Sequence, residues 1–164
     1  MTTRDLQFNS SFGLRLNSDQ VVQEVIRFML ADGKRKYKVI IGTDSQSSPD
    51  KTADFVTAVV VHRVGNGGRY FWRRIELGKF YTLRDRLIRE VVISLEIAQE
   101  ILKKLKEEKA PKFDFEIHAD IGEEGASKAM IQEVASMIRS YNFNAKMKPE
   151  SYAASKVADR HTGY

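Results

Sequence analysis

The chain has no cysteine in its 164 residues. That excludes disulfides, thiolate metal sites and cysteine nucleophiles. Only three prolines are present, so little interrupts long helices or strands. No apolar run approaches the roughly 20 residues that a membrane-crossing helix needs. The opening MTTRDLQFNSSFGLRL has no apolar core of the kind a secretory signal carries. These absences read as a soluble protein of a reducing cytoplasm, with no membrane partner.

Hydrophobic residues make up 42% of the chain, enough to bury a sizeable core. The length suits one domain. We read 1–164 as a single domain whose residues 1–16 form an irregular N-terminal segment. Net charge is +5 and the sequence pI is about 9.4. A basic excess fits a nucleic-acid partner, because neutralising phosphates drives such binding. It fits many other soluble proteins as well.

Asn17-Ser18-Asp19-Gln20 reads as a helix start, with Asn17 capping and Gln20 reaching back. Val21, Val22, Val25, Ile26, Met29 and Leu30 follow at helical spacing, and Asp32-Gly33 ends the run. Lys36 to Asp44 (KYKVIIGTD) reads as a strand, and its unbroken Val39-Ile40-Ile41 suggests burial on both faces. Phe55 to Val64 and Tyr70 to Leu77 are further strands, joined by a hairpin at Gly65-Asn66-Gly67-Gly68. Thr82 to Glu108 is a long helix with a stripe of Ile88, Val91, Leu95, Ala98, Leu102 and Leu105. Lys112 to Asp120 alternates as a strand, Ala126 to Ser140 is helical, Ala145 to Pro149 is a short edge strand, and Ser151 opens a final short helix. The pattern predicts an α/β fold: a five-stranded mixed sheet flanked by helices, with an extra N-terminal helix. In order of appearance the strands should lie 3-2-1-4-5, with the first and fourth parallel at a topological switch point.

Asp44 and Asp120 end those two strands and should be neighbours. Like charges at adjacent strand tips repel, and one carboxyl should be raised, unless a cation lies between them. A hard divalent ion with oxygen ligands, Mg²⁺ or Mn²⁺, suits the pair. The plainer reading is that each aspartate caps a loop. On the crossover helix, Glu90 lies roughly 80° from the stripe's centre, while Asp85 and Glu96 lie roughly 140–160° away. Glu90 is then either a third ligand or a boundary glutamate paired with Arg86. Asp159 is either a fourth acid or the partner of Lys156. His161 beside it is either a proton or phosphate contact or an exposed histidine near the chain end. His118 shares a face with Asp120 and reads as a buried, hydrogen-bonded histidine or as a partner that orients a metal-binding carboxylate.

Three segments resemble one family: Ile-Ile-Gly-Thr-Asp44-Ser-Gln, Ile-His-Ala-Asp120-Ile-Gly, and Lys-Pro-Glu-Ser-Tyr-Ala-Ala-Ser-Lys-Val-Ala-Asp159-Arg-His-Thr. Together they are similar to the bacterial YkuK-type proteins of the ribonuclease H-like superfamily. The resemblance implies a ribonuclease H-like fold and one or two Mg²⁺ or Mn²⁺ ions held by Asp44, Glu90, Asp120 and Asp159. It implies a nuclease that hydrolyses phosphodiester bonds in RNA, RNA–DNA hybrid or structured DNA. The superfamily's usual Arg-Met-Glu pattern on the crossover helix is absent here. The alternative is a catalytically inactive nucleic-acid-binding or scaffold protein. For the binding version, Arg69, Tyr70, Trp72, Arg73 and Arg74 are candidate contacts, or simply an amphipathic strand.

Overall fold

The computed structural model describes residues 6–121 and 128–147. Their order is β1 (Gln7–Ser10), β2 (Arg15–Asn17), α1 (Ser18–Ala31), β3 (Tyr37–Ser47), β4 (Ala53–Arg63), β5 (Gly68–Leu77), α2 (Leu83–Glu107), β6 (Asp114–Ala119), a 3₁₀ turn (Lys128–Met130), α3 (Ile131–Ser140) and β7 (Asn144–Lys146). The strands form one sheet in the order β2-β1-β5-β4-β3-β6-β7. The five strands expected from sequence occupy consecutive places in the expected order, but the sheet has seven. The segment read as irregular supplies the other two. Phe8 is fully buried, and Asn9 and Ser10 pair with Trp72 and Phe71 of β5. The strand β1 is short and mostly polar, so its sequence carries no alternation of its own, and sheet pairing holds it.

Local chemistry explains the boundaries. At the start of α1, the Asn17 side chain accepts from Gln20 N at 2.9 Å and Gln20 accepts from Asn17 N at 2.8 Å, a capping box. Gly65 and Gly67, both at positive φ, turn β4 into β5. Thr82 caps α2 by accepting from Asp85 N at 3.0 Å.

Strand β3 lies between antiparallel β4 and parallel β6. Its Val39 and Ile41 join the core under α1 and α2, with Val59, Val61 and Ile117. Ile40, on the opposite face, is equally buried. Burial on both faces accounts for the unbroken apolar run. Each such aliphatic side chain contributes about 1.5–3 kcal/mol by leaving water. The strand runs on past Asp44 to Ser47, because β4 keeps pairing with it as far as Ala53. The last paired residues of β3 and β6 are Thr43 and Ala119. Asp44 and Asp120 follow them directly, side by side in sequence register.

Candidate functional site

The site lies where β6 stops and β3 continues. Beneath it, Thr43 Oγ1 lies 2.9 Å from Thr57 Oγ1 and 2.8 Å from Ser94 Oγ of α2. This buried hydroxyl chain pins the helix to the sheet at the level of the aspartates. One turn earlier on the helix is Glu90, only 3% exposed. Asp85 and Glu96 are exposed. The buried face of α2 runs through Leu87, Glu90, Val91, Ser94, Ile97, Ala98, Ile101 and Leu105. Glu90 therefore lies within that face rather than at its edge. The stripe read from sequence, centred near Ala98 and Val91, also counts Ile88 and Leu102, which are only partly buried.

A carboxylate so placed needs partners. Ser45 Oγ donates to Glu90 Oε2 at 2.5 Å. Arg86 Nη1 donates to Ser45 Oγ at 2.7 Å and to the Ser45 carbonyl at 3.0 Å. The expected Arg86–Glu90 pairing thus runs through a serine. Burial raises the Glu90 carboxyl well above its ordinary range, and the negative charges of Asp44 and Asp120 add to that. The Ser45 hydrogen bond and the Arg86 charge act against the rise. The expectation from sequence is a raised carboxyl at Asp44 or Asp120; the raised group here is Glu90 of the helix, and burial is its main cause.

Asp44 is half-buried, and its Oδ1 accepts from Ser45 N at 2.9 Å. Asp120 is half-buried, with its Oδ1 sealed from solvent. A narrow cleft between the end of β6 and the helix is lined by Thr43, Glu90, Ser94, His118 and Asp120 among others. His118 is 2% exposed, and its Nε2 lies 3.2 Å from Glu116 Oε1, the buried and bonded role expected of it. Asp159, His161 and the final helix lie outside the described residues.

The donor set suits a hard divalent ion in chemistry but not in its present spacing. Three carboxylates from three elements, all oxygen donors, have the right chemistry. Their mutual repulsion at Glu90 is what a cation would relieve. Among the described residues, however, no three His, Cys, Asp or Glu side chains are gathered closely enough to hold an ion in this conformation. Period-two alternation gives the reason. Asp44 faces the side of the sheet opposite Thr43 and Ser45, whereas Glu90 approaches from the helix side.

Ser45 was not singled out from sequence. The available signal was its place after Asp44, where alternation turns it toward the crossover helix. Of the strand residues considered for nucleic acid, Arg74 pairs with the buried Asp54 at 2.6 Å. Arg73 is half-buried, and burial lowers its guanidinium's pKa. Because β5 lies inside the sheet rather than at its rim, these side chains have structural surroundings.

A groove of about 270 Å³ opens beside Arg86, lined by Ser47, Lys51, Thr52, Tyr81 and Thr82 among others. Its link to the carboxylates is Arg86, which donates to Ser45, the partner of Glu90.

Comparison with known proteins gives two matches. Residues 20–163 match the family model described as "Ribonuclease H-like". The chain is 31% identical over 159 residues to a Bacillus subtilis (strain 168) protein described as "Uncharacterized protein YkuK", covering 90% of this chain and 92% of that one. No solved structure matches.

Proposed function

The chain belongs to the YkuK-type, ribonuclease H-like family, and from that premise we propose that it is a metal-dependent nuclease acting on RNA, RNA–DNA hybrid or structured DNA. The observation that carries the reading is Glu90. A glutamate 3% exposed, and destabilised as an anion by Asp44 and Asp120, is a poor structural choice. It becomes reasonable where a cation is to be bound. In this reading Asp44, Glu90 and Asp120 hold Mg²⁺ or Mn²⁺, with Asp159 as a fourth acid. Such an ion would supply charge neutralisation of the phosphate and activation of water.

The chain's own residues have definite tasks. Ser45 and Arg86 hold Glu90 in one orientation. Arg86 adds positive charge beside the place a phosphodiester would occupy. Lys51, Thr52 and Thr82 line the groove along which the backbone would run.

Calorimetry with Mn²⁺ tests the centre. The wild type should bind, and Asp44→Asn should bind much more weakly. Unchanged binding in that variant would remove the metal reading. A cleavage panel of RNA, hybrid and branched DNA tests the chemistry. Asp120→Asn should lose cleavage yet keep or gain affinity, since a negative charge near phosphate is removed.

A second reading, a nucleic-acid-binding or scaffold protein without catalysis, has one observation in its favour. The carboxylates are not gathered as an ion's shell among the described residues. Binding without cleavage in either metal selects it.

A further inference from the structure

At the opposite end of β3 from the carboxylates, aromatic rings and guanidiniums alternate. The Arg63 guanidinium lies over Tyr37 at 5.6 Å and over Phe28 at 4.0 Å. Arg69 lies over Phe28 at 5.5 Å and over Phe12 at 5.1 Å. The order is Tyr37, Arg63, Phe28, Arg69, Phe12. The inner rungs are anchored: Arg63 donates to the Tyr37 hydroxyl at 3.0 Å and to the Phe28 carbonyl at 2.9 Å. They tie the end of α1 to the β4–β5 hairpin.

The outermost rung is different. Phe12 is 71% exposed. It sits at the tip of the turn between β1 and β2, which Ser10 closes by accepting from Phe12 N and Leu14 N. Gly13, at φ +84°, lets the turn reverse. The ring is thus presented to solvent on a built turn, with a cation against it. Inner contacts suffice to staple the helix, so the staple does not account for an aromatic ring left in water.

The surroundings are basic. Lys34, Arg35 and Lys36 are exposed at the same end, where α1 passes into β3, and Arg15 is exposed just after the turn. Of these, Arg35 pairs with Asp32 at 3.2 Å. An exposed ring backed by an arginine, at an end that also carries exposed lysines, matches what unpaired nucleotides offer, a flat base and a phosphate. A duplex offers such a ring only the outer face of its terminal pair, whereas a single strand offers a base at every position.

We propose that Phe12, backed by Arg69 at the same basic end of the sheet as Lys34 and Lys36, is a stacking platform for an unpaired base of a single-stranded nucleic acid, separate from the carboxylate site. The proposal rests on the reading that the chain handles nucleic acid. Seven residues of extended strand, about 23 Å, separate Tyr37 from Asp44. At about 3.4 Å per stacked nucleotide, roughly seven nucleotides cover that length alone, and Phe12 stands at the far end of the ladder from Tyr37. The platform would then hold a flanking single strand while the carboxylates face a more distant phosphodiester.

The test is anisotropy of a fluorescein-labelled, mixed-sequence 15-nucleotide RNA with the full chain in EDTA. Wild type should bind, and affinity should fall with salt. Phe12→Ala should weaken binding about tenfold, and Phe12→Trp should restore it, as one base–aromatic stack requires. Lys34→Ala with Lys36→Ala should lower the salt slope. The ring is exposed, so these variants keep the fold, which circular dichroism checks. Three results overturn the proposal: no binding by wild type, equal binding by Phe12→Ala, or a wild-type dimer in sedimentation that Phe12→Ala dissociates. The last would make this end a contact between copies. Mn²⁺ calorimetry on the same samples keeps failure here distinct from failure of the metal reading.

Discussion

At the scale of single residues, the decisive side chain is Glu90, because it is buried among apolar helix neighbours within the electrostatic reach of two other acids. Glutamine has the same shape and can still accept from Ser45. Glu90→Gln should therefore leave stability in EDTA unchanged or higher, since it removes a destabilised anion. Where the wild type gains midpoint temperature on adding Mn²⁺, as a ligand of the native state must produce, Glu90→Gln should gain little. Glu96→Gln, on the exposed face, should behave as wild type. Thermal scans of the three proteins with and without Mn²⁺ decide this. Equal metal shifts in all three would take Glu90 out of the site. Its candidacy was legible from the helix wheel, because only a carboxylate near the apolar stripe can face the sheet. Ser45 and the indirect role of Arg86 were not. Those contacts join residues 41 and 45 positions apart, and no local pattern announces such a pair.

At the scale of elements, what alternation or capping encodes was readable, and what pairing alone imposes was not. The capping box at Asn17 and the β4–β5 hairpin were visible in sequence because their chemistry is local. Strands β1 and β2 were invisible because they are short and polar and owe their conformation to β5. If β1 is integral to the sheet, Phe8→Ala should cost about 3–5 kcal/mol, the usual range for a fully buried phenylalanine. Urea denaturation measures it, and a cost below 1 kcal/mol would mean the segment is only loosely attached. On β6, burial pushes the Glu116 carboxyl up. The His118 hydrogen bond and Lys38, 3.3 Å away, outweigh that and hold it below its ordinary value of 4.5. A group depressed by folding stabilises above its unfolded pKa, and that contribution is lost as pH falls through the lower folded one. The loss belongs below about pH 4.5. Urea midpoints of Glu116→Gln should fall less steeply than wild type in that range, and parallel acid limbs would show that the pair contributes nothing.

At the scale of the whole molecule, the question is whether the late additions to the sheet and the carboxylate end melt as one. The core is continuous: Leu6 and Phe8 from the N-terminal segment, Val25 of α1, Ile41 of β3, Ile101 of α2, Ile117 of β6 and Val134 of α3 belong to a single buried cluster. Lys104 of α2 also pairs with Asp19 of α1 at 2.6 Å, and Arg84 pairs with Glu133 of α3. No described element has a core of its own to retain once its neighbours leave. We therefore expect the 164 residues to unfold as one domain in a single two-state step. The calorimetric and van't Hoff enthalpies should agree, at about 115 kcal/mol for about 0.7 kcal/mol per residue. The lone tryptophan, Trp72, lies on β5 opposite Asn9 of β1, so its fluorescence reports the edge that β1 and β2 add. Far-ultraviolet circular dichroism reports chiefly the helices. Coincident midpoints from the two signals mean that the N-terminal strands share the fate of the sheet. A fluorescence change several degrees below the helical one would mean they detach first. In that case the Phe12 turn would sit on a separately melting flap, and the two-state description would fail for the chain as a whole.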